Sequence, residues 1–297
     1  MGNGWGPEGR QAAVSFTFDN FGEAAEIEFG SWPESKPIGA HPSVTMALPA
    51  ILDAIGNGNG NATFFIEGWN LDVYPDEVVA IGNTGHEVAS HGFRHEIWTE
   101  LQPTEEKEKL EAALERYKRH GLDVVGLRPP TSILTPNTIE IVRDLGFTYV
   151  SPVRSATGII DGVAVVPVDF PVADLIYYQP EFAAFRLEPN DAPMLEPEDL
   201  VDGFKRSLET TIAGGGYVAV LFHPFQFIID GELSIERIDA MQQIWDFLSG
   251  DERVWFAPCR EVADWILERP DRFDGISYEP FDAYKPETFF RDMDLKR

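Results

Sequence analysis

The chain has 297 residues, 50 acidic against 23 basic for a formal charge of −27, with 43% hydrophobic residues, seven Trp and 21 Phe. That aromatic content excludes a disordered acidic chain, which could not bury enough apolar surface to offset its ordering entropy. The charge repels phosphate backbones and anionic headgroups, so neither nucleic acid nor a membrane surface is an expected partner.

The opening MGNGWGPEGRQAAVSF shows no basic region followed by an apolar run, and nowhere do about eighteen apolar residues run together; a soluble, cytoplasmic protein is expected. The first predicted strand is AAVSFTF (12–18), followed by Asp19. An irregular stretch, 20–43, carries GSWPESKP as a candidate rim. The helical pattern VTMALPAILDAI leads through GNGNGN (56–61), a helix-to-strand turn lacking the Lys of a phosphate loop, into ATFFI (62–66) and Glu67. HEVAS (86–90) ends at His91, VVGL (124–127) at Arg128, FTYV (147–150) at Ser151, VAVVPV (163–168) at Asp169 and YVAVLF (217–222) at His223; VWFA (254–257) is the last strand.

Between these runs lie segments such as PTEEKEKLEAALERYKRHG and SIERIDAMQQIWDFLSG, with N-cap residues, first-turn Pro, early acids and a trailing Gly. Strand then helix, repeated eight times, predicts parallel βα units. No linker or internal repeat divides the chain. A single domain over 1–297 is expected, its core about 12–268, with an acidic, aromatic tail at 270–297 and long functional connections at 151–162 and 169–196.

Nearly every strand thus ends in a polar group. A barrel of parallel strands gathers such ends at one mouth, whereas an open sheet spreads them along a crevice. The expected fold class is α/β, a distorted (β/α)7-8 TIM-like barrel. In SHGFRH (90–95), His91 and His95 are four apart; one helical turn would put both imidazoles on one face to ligate a divalent ion, zinc by default. Gly92 stands where the metalloprotease motif HExxH needs Glu. His86 reads as a structural hydrogen-bonder, His120 as a helix C-terminal cation, and His41 as a cap neighbour or substrate contact. Cys259 is the only cysteine, so an intrachain disulfide or thiolate cluster is ruled out.

TFDN (17–20), SHGFRH (90–95), LRPP (127–130), PVDFPVADLIYY (167–178) and LFHPF (221–225), in this order, resemble the five motifs of the polysaccharide deacetylase family, carbohydrate esterase family four. REVADWI resembles the branch holding peptidoglycan deacetylases and metal-independent allantoinase-like enzymes. The resemblance implies a deacetylase acting on N-acetylated sugars with a divalent metal. It implies Asp19 as general base, Arg128 as the group orienting it, His223 as general acid, and Asp174 or Asp169 as the carboxylate supporting that imidazole. His91 and His95 would be metal ligands.

The family's metal-binding Asp, second in TFDD, is Asn20 here; the alternative register gives Phe21. An amide oxygen is a weaker, neutral ligand. Three outcomes stay open: a weaker zinc site with Asn20 or Glu23 filling in, a metal-free hydrolase of linear or cyclic amides, or a catalytically silent carbohydrate-binding barrel. Pro129, Trp69, Tyr177 and Phe225 are the expected substrate contacts, with Trp98, Phe170 and Tyr178 as further stacking candidates. The expected partner is a small-molecule or carbohydrate substrate, and a homo-oligomer is compatible with the sequence.

Overall fold

The computed structural model describes residues 4–56, 60–153, 155–186 and 194–278. The expectations for 57–59 of GNGNGN and for the tail beyond 278 lie outside the described residues. Strands β1 (Ala12–Asp19), β2 (Thr63–Ile66), β3 (Glu87–Ser90), β4 (Gly126–Leu127) and β5 (Tyr149–Val150) lie side by side and parallel. β6 (Gly158–Ile160) is antiparallel to β7 (Val163–Val165), which runs parallel to β5. After Val166 and Pro167 the chain continues as β8 (Val168–Ala173), parallel to β9 (Tyr217–Phe222), itself parallel to β1.

The sheet therefore curls until its ends meet, because Val168 bridges Val153 on one side and Ala219 on the other. A hairpin of β10 (Ile228–Ile229) and β11 (Glu232–Leu233) stands apart, and β12 (Val254–Phe256) pairs with Ala12–Val14 of β1. The curled α/β sheet of mainly parallel strands is the expected fold. β6, inside the stretch read as irregular, adds an antiparallel edge.

All eight residues of β1 are buried. Side chains alternate across a strand, so Phe16 and Phe18 face one side and Ser15, Thr17 and Asp19 the other. Phe16 stacks on Phe222 at 5.1 Å and meets Trp245 of helix Ile235–Ser249 edge-on at 5.2 Å, while Phe18 stacks on Phe64 at 4.7 Å. Each such buried ring contributes about 1.5–3 kcal/mol. The polar set faces the barrel interior: Tyr217 Oη donates to Ser15 Oγ at 3.0 Å, and Thr17 Oγ1 donates to Val220 O at 2.6 Å.

Helix Pro103–Arg119 follows its sequence signals. Gln102 and Glu105 form a capping box, Glu105 and Glu106 sit in the first turn, and Arg116, Lys118 and Arg119 sit in the last. Both charge sets complement the helix dipole. Leu110, Ala113 and Tyr117 are its buried stripe.

Candidate active site

The C-terminal ends of β1, β2, β3, β4 and β9 deliver Asp19, Glu67, His91, Arg128 and His223 to one region of the molecule. Arg128 is fully buried, and its guanidinium lies 4.1 Å from the centre of the Phe65 ring. Nη1 donates to Asp19 Oδ1 and to Thr17 Oγ1, each at 2.8 Å, and Nη2 donates to Ser151 Oγ at 2.8 Å. A guanidinium held on three sides fixes the carboxylate's position. Burial nevertheless raises the Asp19 carboxyl above its ordinary range, outweighing the pull of Arg128 toward the ionised form.

The expected helical turn at 91–95 is absent. His91 to His95 is an irregular turn, with Gly92 at φ 77° and His95 at φ 69°. Contacts from elsewhere impose it: Gly68 N and Trp69 N donate to Gly92 O and Phe93 O, and the buried Glu96 carboxylate accepts from Phe93 N and Arg94 N. The two imidazoles still converge, with ring centres 5.1 Å apart. His91 Nδ1 donates to Arg128 O at 2.8 Å, which makes Nε2 the ring nitrogen that could accept a bond or hold an ion. Burial pushes His91 down to about 3 and His95 well below the imidazole range, so both are neutral.

His95 Nδ1 and Asn20 Oδ1 are buried and make no hydrogen bond. Asn20 follows β1 in a left-handed conformation, φ 64°. Two neutral imidazoles and an amide oxygen are a donor set a divalent ion fits, although it is uncharged. Among the described residues no three His, Cys, Asp or Glu side chains are grouped to share a cation. Glu23 does not fill in: its carboxylate accepts from Gly39 N at 2.8 Å and Tyr74 Oη at 2.7 Å.

His223 is held by Asp174, which accepts from His223 Nδ1 and from its backbone N, each at 2.6 Å. Asp174 is fully buried at the end of β8. Asp169 lies within β8 rather than at a strand end, and its Oδ1 accepts from Phe170 N at 2.9 Å. Since Phe18 and Phe222 are register partners, Asp19 and His223 leave neighbouring strands.

Asp19, Asn20, His91, His95 and His223 all line one cleft of about 360 Å³, a volume suited to a small molecule. Phe225 and Phe170 line it too; Pro129, Trp69 and Tyr177 do not. Tyr177 is turned into the core, donating to Pro171 O at 3.1 Å and packing on Phe204 at 5.5 Å, because its ring fills the space beside Gly203. Trp69 heads the short helix Asn70–Val73, and Pro129 packs in the buried segment that leads from β4 into Pro130–Ser132. Trp98 is buried in a separate core cluster, and the Tyr178 ring lies under Arg237 at 3.9 Å.

Of the remaining histidines, His86 Nδ1 accepts from Ala62 N and His120 Nδ1 donates to Arg116 O. His41 lines the cleft, accepting from Ser43 Oγ at 2.7 Å and reaching Glu26 at 3.2 Å. Sequence reasoning missed Thr17, Phe29, Leu175 and Phe182. Thr17 was legible from β1's alternation; the other three come from stretches without periodicity.

Residues 8–150 match the family model for polysaccharide deacetylase. Over that stretch, just under half of its length, the chain is similar to the polysaccharide deacetylase family. A peptidoglycan deacetylase-like protein of Gibberella zeae is 33% identical over 103 residues, 34% of this chain and 30% of its own length. The chain spans 30% to 44% of the length of the curated relatives it matches. Among solved structures, a polysaccharide deacetylase of Mycobacterium smegmatis superimposes with a TM-score of 0.79 at 21% identity, covering 94% of this chain and 97% of the other. The PuuE allantoinase structure gives a TM-score of 0.68 at 17% identity, covering 89% and 93%. Both are likenesses of fold.

Proposed function

We propose that this chain hydrolyses a carbon–nitrogen amide bond, removing the acetyl group from an N-acetylated sugar or small acylated amine with a divalent ion, zinc by preference, held by His91, His95 and Asn20. One observation carries the reading: a buried Asp19–Arg128 pair and a buried His223–Asp174 pair meet at the same cleft as two neutral imidazoles.

A bound ion would polarise the acyl oxygen and make water more acidic. Asp19, held by Arg128, accepts the proton of the attacking water. His223 keeps Nδ1 on Asp174 and donates from Nε2 to the departing nitrogen, so the C–N bond breaks as the new C–O bond is kept. Carboxylate and amine are the products. Metal-independent hydrolysis is the second reading, favoured by the missing carboxylate in the donor set.

The test is acetate release from N-acetylglucosamine oligomers and small N-acetyl amines. Asp19→Asn and His223→Asn should each cut turnover by about 10²–10⁴-fold with the fold intact by circular dichroism. Loss on chelation and return with zinc supports the metal reading, and unchanged rates after chelation support the second. Wild-type rates in either variant overturn the assigned roles, and a wild-type protein that binds sugar without releasing acetate is a silent barrel.

A further inference from the structure

We propose, resting on the amide-hydrolase reading, that the amine side of the substrate carries an apolar ring or branched hydrocarbon rather than a hydroxylated sugar ring. His223 is the group assigned to the departing nitrogen, and Asp174 ties it to the end of β8. The chain on either side of Asp174 builds the cleft wall at that end: Val168, Phe170, Ala173, Leu175 and Phe182 all line the cleft. Ala173 is the register partner of Leu221, another lining residue two positions before His223, so this wall adjoins the imidazole.

The wall is already assembled. Phe170 stacks on Phe185 at 4.4 Å, and Phe185 lies 6.5 Å from Phe182. Asp169 and Gln179 are the polar members of this segment among the described lining residues, and Asp169 Oδ1 is engaged by Phe170 N. Outside this segment the lining is mixed, with Glu26, Ser31 and His41 beside Ala25 and Phe29; Ser31 Oγ donates to Glu26 O and His41 meets Ser43 and Glu26. A sugar ring beside His223 would press its hydroxyls, stripped of water, against hydrocarbon. A phenyl or branched alkyl group gains from the same burial.

The experiment compares N-benzylacetamide with N-acetylglucosamine and its linear trimer on the wild-type enzyme. The expected kcat/KM is at least about tenfold higher for N-benzylacetamide, in the range a hydrophobic pocket discriminates. Phe182→Ser and, independently, Leu175→Asn should each shrink that ratio. Either sugar performing equally well or better overturns the inference while leaving amide hydrolysis standing. Turnover of none of the three counts against the hydrolase reading, and calorimetric binding of the same compounds to Asp19→Asn then decides the inference. Tighter binding of N-benzylacetamide supports it; equal, weaker or no binding overturns it.

Discussion

Asn20 and Glu67 show how single side chains set the character of the site. Asn20 presents a buried, unbonded amide oxygen where a carboxylate would add charge. Two unit charges about 4 Å apart interact by roughly 1–4 kcal/mol between water and a typical near-surface dielectric. Asn20→Asp should therefore tighten zinc binding by at least about tenfold in calorimetry; unchanged affinity would remove Asn20 from the donor set. Glu67 is fully buried, accepts from Asn70 Nδ2 at 2.8 Å, and is pushed up by burial from 4.5 to about 8. Below about pH 4.5 folded and unfolded chains both hold this proton and nothing is lost. Between there and pH 8 the unfolded chain releases it while the folded chain keeps it, so stability declines as pH rises. Glu67→Gln removes the penalty, and its gain in melting temperature over wild type should be larger at pH 8 than at pH 5. An equal gain at both would refute the raised value. Asp19, His91, Arg128 and His223 were legible because each follows an apolar run; Phe29, Leu175 and Phe182 were not, because their place in the cleft depends on distant partners that no local pattern encodes.

At the scale of elements, β4 shows how little backbone positions Arg128. It has two residues, and a Cβ on Gly126 would fall 1.9 Å from Tyr149 Cζ. That ring is fully buried and donates to Glu87 Oε1 at 2.8 Å. Gly126→Ala should therefore destabilise by about 1–3 kcal/mol in urea unfolding, the range for forced overpacking. Wild-type stability would mean that Tyr149 moves freely. The strands and amphipathic helices were legible from period and caps. The HxxxH turn was not, since its shape comes from Gly68, Trp69 and Glu96, and no local propensity encodes those contacts.

For the whole molecule, the excess of 50 acidic over 23 basic residues makes self-repulsion a general cost of compactness. Salt shortens the reach of that repulsion from about 30 Å at 0.01 M to about 8 Å at 0.15 M. Melting temperature should rise over this interval, and a flat or falling profile would show that local pairs such as Arg253–Glu209 dominate instead. Barrel closure itself was legible only as a fold class. Where the sheet joins was hidden, because Val168 sits in a run that reads as one continuous strand. At that join Val168 N donates to Pro152 O at 2.9 Å and Ala219 N to Pro167 O at 3.0 Å. This bridge stands immediately before Asp169 and Phe170 of the cleft wall, and the pairing with β9 resumes only at Ala173 opposite Leu221. Deuterium should enter the amides of Val168 and Ala219 sooner than those of β1, and a molecule lodged in the cleft should slow it.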